Sequence, residues 1–288
     1  MHIVLVGGSG YLGTHAARAL LARDHRVTAL SRRGRGPLAG VSYLRADAAT
    51  GEGLSALAGA DAAVYLAGII RERGQSFADV HVRGVQRVVE AMGAAGVRRF
   101  LHVSALGARP GTGSRYFETK AGGEEAVRSS GLDWTIFRPG LIFGEGDEFF
   151  GKVLAGLVRR PLPFIPLIGR GDYPFRPVWV GDVAAALVQS LEKPETVGEA
   201  YDLVGPEECS YRDLVRLVRD ALGSRKPLVP LPVGLFRFLS RLPFAPVTRD
   251  QLVMLLAGNT GDPEKMLRVF AVEHRTLEAE LPRLRSVR

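Results

Sequence analysis

The sequence predicts an α/β fold in which a doubly wound parallel sheet carries a smaller C-terminal lobe for the substrate. Short apolar runs of strand length alternate with helical segments through the first half of the chain, as in parallel sheets with crossover helices. Past Gly144 prolines become frequent and the alternation weakens, which indicates a second, smaller unit. A pattern of this kind usually binds its ligand at the carboxyl edge of the sheet.

The elements follow in order along the chain. Strands are predicted over residues 3–6, 26–30, 41–44, 62–66, 99–103, 134–137, 177–180 and 201–203. Helices are predicted over residues 14–21, 54–57, 77–95 and 120–129, from Asp182, and from Ser210 with a capping box.

Composition restricts the range of partners. The net charge of +8 comes from 33 arginines and 5 lysines, which suits an anionic ligand, an acidic partner or a membrane surface. Because these charges are scattered, a solvated arginine-rich surface is favoured over nucleic-acid binding.

The only cysteine is Cys209, so we expect no intrachain disulfide and no metal site. With a strand from His2 and no long apolar run, we expect a cytoplasmic protein without leader or transmembrane segment.

A glycine-spaced turn lies between the first strand and the first helix. Gly7, Gly10 and Gly13 recur at intervals of three, and Gly8 gives a second spacing. In such a turn the glycines permit the bend, the approach of a pyrophosphate to backbone N–H groups, and close packing of helix on strand. The helix N-terminus adds partial positive charge. We therefore predict a dinucleotide site formed by Gly7, Ser9, Gly10, Tyr11, Leu12 and Gly13.

The residues after the second strand indicate which dinucleotide binds. A site for NAD usually has Asp or Glu at this position to bind the ribose 2′-hydroxyl, but this chain has Ser31, Arg32 and Arg33. Guanidinium groups bind a 2′-phosphate in a bidentate manner, whereas a carboxylate would repel it. We predict a preference for NADP(H) and keep NAD(H) as the second option. A merely solvated arginine loop is the alternative.

Three further residues are expected beside the cofactor. Asp47 follows the third strand, where its carboxylate can accept a hydrogen bond from an adenine amino group, although a surface aspartate is an open alternative. Ala67 and Gly68 follow the fourth strand, where small residues let a ribose approach the backbone.

Ser104, Tyr116 and Lys120 form the most specific pattern. Ser104 ends the fifth strand, and Tyr116 and Lys120 are four residues apart, so they lie on one helix face. A cation there is expected to lower the phenol pKa, which would make Tyr116 a proton donor and acceptor near neutral pH. Ser104 is expected to hydrogen-bond a substrate carbonyl. An ordinary helical side-chain pair is the alternative.

Together these motifs resemble the short-chain dehydrogenase/reductase superfamily in its extended or atypical branch, and most nearly the group around the NAD(P)H-binding accessory subunit of respiratory complex I. Residues 103–108, 116–127, 136–144 and 176–184 carry the resemblance. It implies a Rossmann domain, which we assign to residues 1–143 and 172–204. Residues 144–171 and 205–288 are assigned to a smaller substrate or partner lobe. Pro139 joins the expected cofactor site.

The resemblance also implies a reaction. Hydride would pass between nicotinamide and a carbonyl or alcohol carbon of an unidentified small molecule, and Tyr116 would transfer the proton. Lys120 would lower the tyrosine pKa and hold the ribose, while Ser104 orients the carbonyl. Two alternatives stay open: a non-catalytic nucleotide-binding module, associated with a respiratory complex or a membrane surface, and a sugar-nucleotide epimerase or dehydratase using tightly held NAD.

Three features depart from this pattern or lie outside it. His81 stands where the superfamily often has asparagine, and we expect a satisfied histidine rather than a catalytic base. Asp182 is expected to cap its helix. Residues 232–242 mix apolar, aromatic and arginine side chains. A helix packed on the smaller lobe is favoured there over a membrane-surface or docking helix.

Overall fold

The computed structural model describes residues 1–242 and 247–281, which form two compact units. The first unit comprises Met1–Pro139, Val183–Asp202 and Glu264–Val272, and the second comprises Gly140–Asp182, Leu203–Pro263 and residues from Glu273 onward. No helix in the described part of the chain has the length and apolar character needed to cross a membrane.

The strands and helices have the following bounds. The strands are β1 (His2–Val6), β2 (Arg26–Ser31), β3 (Val41–Arg45), β4 (Ala62–Tyr65), β5 (Arg99–Val103), β6 (Asp133–Pro139), β7 (Ile142–Phe143), β8 (Ile165–Ile168), β9 (Pro174–Phe175), β10 (Val178–Trp179), β11 (Glu199–Leu203), β12 (Cys209–Ser210) and β13 (Leu228–Leu231). The helices are α1 (Tyr11–Leu21), α2 (Gly84–Ala95), α3 (Arg115–Arg128), α4 (Ala155–Arg159), α5 (Val180–Glu192), α6 (Tyr211–Ala221), α7 (Val233–Leu239), α8 (Arg249–Ala257), α9 (Glu264–Val269) and α10 (Leu277–Glu280). Single π-helical stretches, Asp79–Arg83 and Phe149–Leu154, run directly into α2 and α4.

A seven-stranded sheet in the order β11-β6-β5-β4-β1-β2-β3 forms the centre of the first unit. Strands β1 to β6 pair in parallel. The predicted doubly wound α/β fold is therefore confirmed. The strand order reverses between β1 and β4, and ligands of such sheets bind outside the carboxyl ends of the strands at this reversal.

The continuous apolar runs of the sequence are explained by burial on both faces of the sheet. Every residue of β4 is buried, as are Ile3 to Val6 of β1. Val85, Val88 and Met92 of α2 pack in the same core. A parallel sheet covered by helices on both sides needs such runs rather than alternating polar residues.

The second unit has its own core and three small two-stranded sheets. Strands β7 with β10 and β8 with β13 pair in parallel, while β9 and β12 pair antiparallel. Phe143, Phe150, Ile165 and Leu214 are fully buried there. The predicted capping box at Ser210 is confirmed: Ser210 and Asp213 each bond the other's backbone N–H at the start of α6.

The compact units differ from the domain boundaries predicted from the sequence. Residues 172–182 belong to the second unit, and residues 264–272 belong to the first, where Phe270 packs on Phe137 and Tyr201. Residues 243–246 and 282–288 of the predicted lobe lie outside the described residues. The roles assigned to the two lobes stay a prediction.

Three helix starts lie earlier in the chain than predicted, and the first is that of α1, which begins at Tyr11 rather than at residue 14. Helix α3 begins at Arg115, because Ser114 caps it by accepting a hydrogen bond from the N–H of Phe117. Helix α5 begins at Val180, so Asp182 lies inside its first turn. The Asp182 carboxylate accepts instead from the N–H groups of Glu273 (2.8 Å) and His274 (3.3 Å), so the prediction that it caps its own helix is wrong.

Candidate active site

The glycine turn presents the start of α1 to a ligand. Gly7 has φ +88°, a conformation that favours glycine, and its N–H donates to the Leu30 carbonyl at 2.9 Å. The N–H of Gly10 closes the turn on the Gly7 carbonyl at 3.1 Å. Among the described residues no side chain caps α1, whose first residue is Tyr11. The N–H groups of its first turn therefore suit an anion.

The glycines of the turn have different packing roles. A Cβ at Gly13 would lie 2.6 Å from the Gly7 carbonyl oxygen and 2.7 Å from Gly8, so the helix can pack on the turn only with glycine there. A Cβ at exposed Gly10 would meet only the Gly7 oxygen, at 3.3 Å. The protein itself thus needs glycine strictly at Gly13, whereas Gly10 leaves space for a ligand to approach. The half-buried Ser9 and Leu12 complete the turn.

The end of β2 carries cations and an unpartnered hydroxyl. Ser31 Oγ is buried and has no hydrogen-bond partner among the described residues. Arg32 and Arg33 follow on an exposed turn, and neither forms an ion pair with a described carboxylate. This arrangement fits a phosphorylated ribose, whose oxygens can accept hydrogen bonds from guanidinium and hydroxyl groups.

Asp47 is already hydrogen-bonded. Its carboxylate accepts from Gln75 Nε2 at 3.1 and 3.0 Å and from the N–H of Ala49 at 2.9 Å. Gln75, which no motif of the sequence marks, ties the segment after β4 to Asp47. A carboxylate has about four acceptor positions, so an adenine amino group can still be accommodated.

The carboxyl ends of β1, β4 and β5 meet around Lys120. A Cβ at Gly7 would lie 2.7 Å from the Ala67 nitrogen, and one at Gly68 would lie 3.5 Å from Lys120 Nζ. The Lys120 ammonium donates to the Val103 carbonyl at 3.0 Å. The fold therefore brings the small residues after β4 and the predicted lysine to one place.

Burial dominates the electrostatics of Lys120. Its side chain is only 5% exposed, and burial lowers its pKa to about 8, while the nearby Glu124 carboxylate acts in the opposite direction. Lys120 is therefore a buried cation at neutral pH that loses its proton under mildly alkaline conditions.

Ser104 and Tyr116 both precede this lysine in the sequence. The Tyr116 ring makes edge contacts with Phe77, His81 and Phe117 at centroid distances of 5.9, 5.4 and 5.6 Å. Ser104 Oγ is buried and has no partner among the described residues, while its N–H donates to the Phe137 carbonyl at 2.7 Å.

The expected lowering of the Tyr116 pKa by Lys120 is not found. Burial raises the pKa of Tyr116 to about 12, and Lys120 turns its ammonium to the Val103 carbonyl. The spacing of four residues brings both side chains to one helix face, where the Tyr116 ring packs against three aromatic rings. Tyr116 therefore holds its proton at neutral pH in this structure.

Pro139 lies at the end of β6 beside the segment that carries Ser104. Its carbonyl accepts from the N–H of Leu106 at 3.0 Å, so the chain after β5 is fixed against β6. The structure thus places Pro139 close in the fold to the predicted catalytic serine.

His81 is a hydrogen-bonded interior residue. Its Nε2 accepts from the N–H of Ile69 at 3.2 Å, so its proton is on Nδ1, which faces Thr119 Oγ1 at 3.0 Å. Burial and the nearby Lys120 lower its pKa to about 2, so the ring is neutral. His81 joins the segment after β4 to α3, which agrees with the expectation that it is not a base.

A buried ion-pair network supports the lysine and was missed by the sequence analysis. The Glu124 side chain accepts from Arg138 at 2.7 and 2.5 Å and from Arg128 at 3.0 Å, and Arg138 also lies 3.9 Å from Asp202. Glu124 is only 4% exposed. Lys120, Glu124 and Arg128 are spaced by four residues, which places alternating charges on one helix face and could have indicated this network.

Comparisons with known proteins assign the chain to a family. A family described as NAD(P)H-binding matches residues 7–154, and one described as RmlD substrate binding domain matches residues 107–237. Ceramide reductase of Caulobacter vibrioides is 31% identical over 239 residues, which cover 80% of this chain and 73% of that protein. The chain belongs to the short-chain dehydrogenase/reductase superfamily, in its extended branch. As a member of this superfamily it is an NAD(P)-binding protein.

Other similar proteins are named as a sterol demethylase protein and as subunits of a respiratory enzyme. Sterol demethylase protein B of Methylococcus capsulatus is 30% identical over 278 residues, covering 84% of this chain and 81% of that protein. The 40 kDa subunit of NADH-ubiquinone oxidoreductase from Neurospora crassa is 34% identical over 157 residues, or 54% of this chain. This chain spans between 34% and 48% of the length of such respiratory subunits.

A solved structure agrees with the fold. UDP-glucose 4-epimerase of Thermus thermophilus, in complex with NAD, matches with a TM-score of 0.77 at 20% identity and covers 100% of this chain and 98% of that one. At this identity the likeness supports the extended short-chain dehydrogenase/reductase fold and not a shared reaction.

Because Gly10 and Gly13 pack differently, we expect a substitution at Gly10 to affect nucleotide binding and one at Gly13 to affect folding. Gly10→Val should abolish NADPH binding while the melting temperature stays close to that of the wild type, because the valine side chain fills only the ligand's space. Gly13→Val is the matched comparison and should destabilise the fold by overpacking. Calorimetric titration and thermal melting measure both effects. Unchanged NADPH affinity in a folded Gly10→Val protein would contradict the assignment of this turn.

The buried carboxylate predicts a specific loss of stability. Glu124→Gln should lower the free energy of unfolding by about 3 kcal/mol, because it leaves two guanidinium groups short of their counter-charge. The adjacent but exposed Glu125→Gln is the matched control and should change it by less than about 0.5 kcal/mol. Urea denaturation at neutral pH compares the two. Equal effects would show that the network does not stabilise the fold.

Proposed function

We propose that this protein binds NADP(H) and reduces a carbonyl group of an apolar small molecule. The observation that supports the proposal most strongly is the Ser104 hydroxyl, which is buried and without a partner among the described residues. A buried hydroxyl group without a hydrogen-bond partner lowers the stability of the folded protein by about 1–3 kcal/mol. Such a group therefore indicates that a bound ligand supplies the partner. A substrate carbonyl oxygen is a suitable acceptor for this proton.

Bound nicotinamide would supply the hydride. The residues of this chain would orient the substrate carbonyl and transfer the proton. Ser104 donates a hydrogen bond to the carbonyl oxygen and fixes its direction. Tyr116 donates its phenolic proton to the same oxygen as negative charge develops there. Lys120 would hold the nicotinamide ribose through its ammonium, which lies at the carboxyl end of β5.

The protonation of Tyr116 favours reduction over alcohol oxidation. Because burial raises its pKa to about 12, the residue is a proton donor at neutral pH, as reduction requires. Oxidation would need the phenolate first. Lys120 is charged below about pH 8, so the donor and its supporting cation are present together near neutrality.

The relatives that match over most of their length support an apolar substrate. Ceramide reductase and sterol demethylase protein B, covered to 73% and 81%, are both named for lipids. By analogy we propose a lipid-like carbonyl compound for this chain. The preference for NADP(H) is supported by Arg32 and Arg33, which are exposed and form no ion pair with a described carboxylate. Its proposed location is the cytoplasm.

A second candidate function is a nucleotide-binding subunit of a respiratory assembly. The 34% identity to the Neurospora crassa subunit favours it, although only 40% of that subunit is covered. The two functions differ in turnover. A reductase consumes NADPH with a suitable carbonyl, whereas a structural subunit retains its nucleotide and co-purifies with membrane proteins.

The cofactor preference follows from the arginines after β2. Arg32→Ala and Arg33→Ala should weaken NADPH binding roughly 10- to 150-fold and leave NADH binding nearly unchanged, since a charge-assisted contact contributes about 1.5–3 kcal/mol. Arg26→Ala, at the opposite end of β2, is the control. Titration of both cofactors measures the preference. A wild-type protein that binds NADH as tightly as NADPH would overturn the assignment.

The proton-transfer role predicts a change in rate without a change in affinity. Tyr116→Phe should lower the rate of carbonyl reduction about 10²- to 10⁴-fold with NADPH affinity nearly unchanged, because only the hydroxyl is lost. Tyr43→Phe in β3 is the control and should retain full activity. NADPH consumption with a panel of apolar ketones and aldehydes is the assay. If the wild type reduces none of them, or Tyr116→Phe matches it, the proposed reaction is wrong.

A further inference from the structure

Helix α7 presents apolar side chains to solvent on one face while its other face packs on the protein. Val233 and Phe236 pack against the core of the second unit. Leu235, Phe238 and Leu242 are 42%, 61% and 48% exposed. No residue of α7 is buried, so the packed helix favoured by the sequence analysis describes only one of its faces.

The three exposed side chains form one stripe. The helical turn continues past α7, since the N–H of Ser240 donates to Phe236, that of Arg241 to Phe238, and that of Leu242 to Leu239. At 3.6 residues per turn, Leu235, Phe238 and Leu242 lie within about 60° of one another around the helix. This arc is opposite the face that packs on the core. We call it the α7 stripe.

Positive charge borders the α7 stripe. Arg237 and Arg241 are exposed, and neither forms an ion pair with a described carboxylate. The same helical geometry places them about 60–100° from Phe238, beside the stripe. Between Asp220 and Asp250 the sequence has five basic residues and no acidic one. The chain's 30 acidic residues would place about three in a stretch of that length by composition alone.

We infer that the α7 stripe docks the protein on the surface of an anionic phospholipid bilayer. An amphipathic helix with aromatic and aliphatic residues on one face and arginines beside it lies in the membrane interface plane, with its apolar side among the acyl chains. The arginines then meet the lipid phosphates. At seven residues α7 is far shorter than the ~20 needed to span a bilayer, so it rests on the surface.

The charges favour a bilayer over a second copy of this chain. A symmetric contact through the stripe would place Arg237 and Arg241 of one copy near those of the other, with no acidic residue from this segment to offset them. An anionic bilayer supplies both the apolar layer and the counter-charge. The inference does not depend on the proposed reaction, because it concerns binding by the whole protein in the absence of substrate.

Flotation with lipid vesicles tests the inference. The 288-residue chain should float with phosphatidylcholine vesicles that contain about 30 mol% phosphatidylglycerol. It should bind pure phosphatidylcholine far more weakly, since each arginine near an anionic surface strengthens binding about fivefold. Phe238→Ser should reduce partition roughly tenfold by removing the most exposed apolar side chain. Arg237→Gln with Arg241→Gln should reduce it about 25-fold, and high salt should have a similar effect.

Two control variants distinguish specific binding through the α7 stripe from nonspecific adsorption or misfolding. Leu267→Ser removes a leucine of α9 in the first unit whose exposure (44%) is close to that of the two stripe leucines. Arg18→Gln with Arg26→Gln removes two exposed arginines from the same unit. Both variants should bind vesicles as the wild type does. All altered positions are exposed, and thermal melting should be unchanged in each variant.

Three results would overturn the inference. The first is a wild-type protein that binds neither type of vesicle, which would leave an acidic protein as the occupant of the stripe. The second is equal binding to neutral and anionic vesicles. The third is light scattering that shows an oligomer dissociated by Phe238→Ser while vesicle binding persists, which would identify the stripe as a contact between copies of the chain.

Discussion

The Lys120 ammonium, held inside the protein against the Val103 carbonyl, is the interaction on which the candidate site depends. Burying a cation is costly, and its lowered pKa reflects that cost. Two features of the fold make it tolerable. The Val103 carbonyl at the end of β5 accepts a hydrogen bond from the ammonium, and Glu124 supplies a buried negative charge one helical turn away. Gly68 leaves the position beside the ammonium free of a side chain, since a Cβ there would lie 3.5 Å from Lys120 Nζ.

The surrounding residues maintain this geometry. Arg128 and Arg138 fix the Glu124 carboxylate, so the helix that carries Lys120 is tied to β6. His81 ties the same helix to the segment after β4 through Thr119 and Ile69, and its neutral ring adds no competing charge. These contacts are made by polar groups in the interior, where their directionality determines a unique arrangement more strongly than apolar packing would.

The fold and the motif residues could be predicted from the sequence, because apolar runs, glycine spacing and the Tyr116–Lys120 interval have local physical causes. Helix α3 begins five residues before its predicted start, because the Ser114 hydroxyl caps it by accepting from the N–H of Phe117. The aromatic contacts of Tyr116 and the ion-pair network of Glu124 could not be predicted from such local patterns. They depend on which aromatic and basic groups distant segments bring to α3, and Arg138 and Asp202 are remote from it in the sequence.

The central claim is that the fold keeps Lys120 as a buried cation at an energetic cost, and the pH dependence of stability measures this directly. Lys120→Met removes the charge and keeps the chain length. Because burial lowers the folded pKa to about 8, below the unfolded value near 10.5, the wild type gains stability as pH rises through this window. Lys120→Met is therefore expected to be more stable than the wild type at pH 7, by on the order of 3 kcal/mol, and the difference should shrink toward pH 10. A methionine variant that is less stable at pH 7, with a difference that does not change with pH, would contradict it.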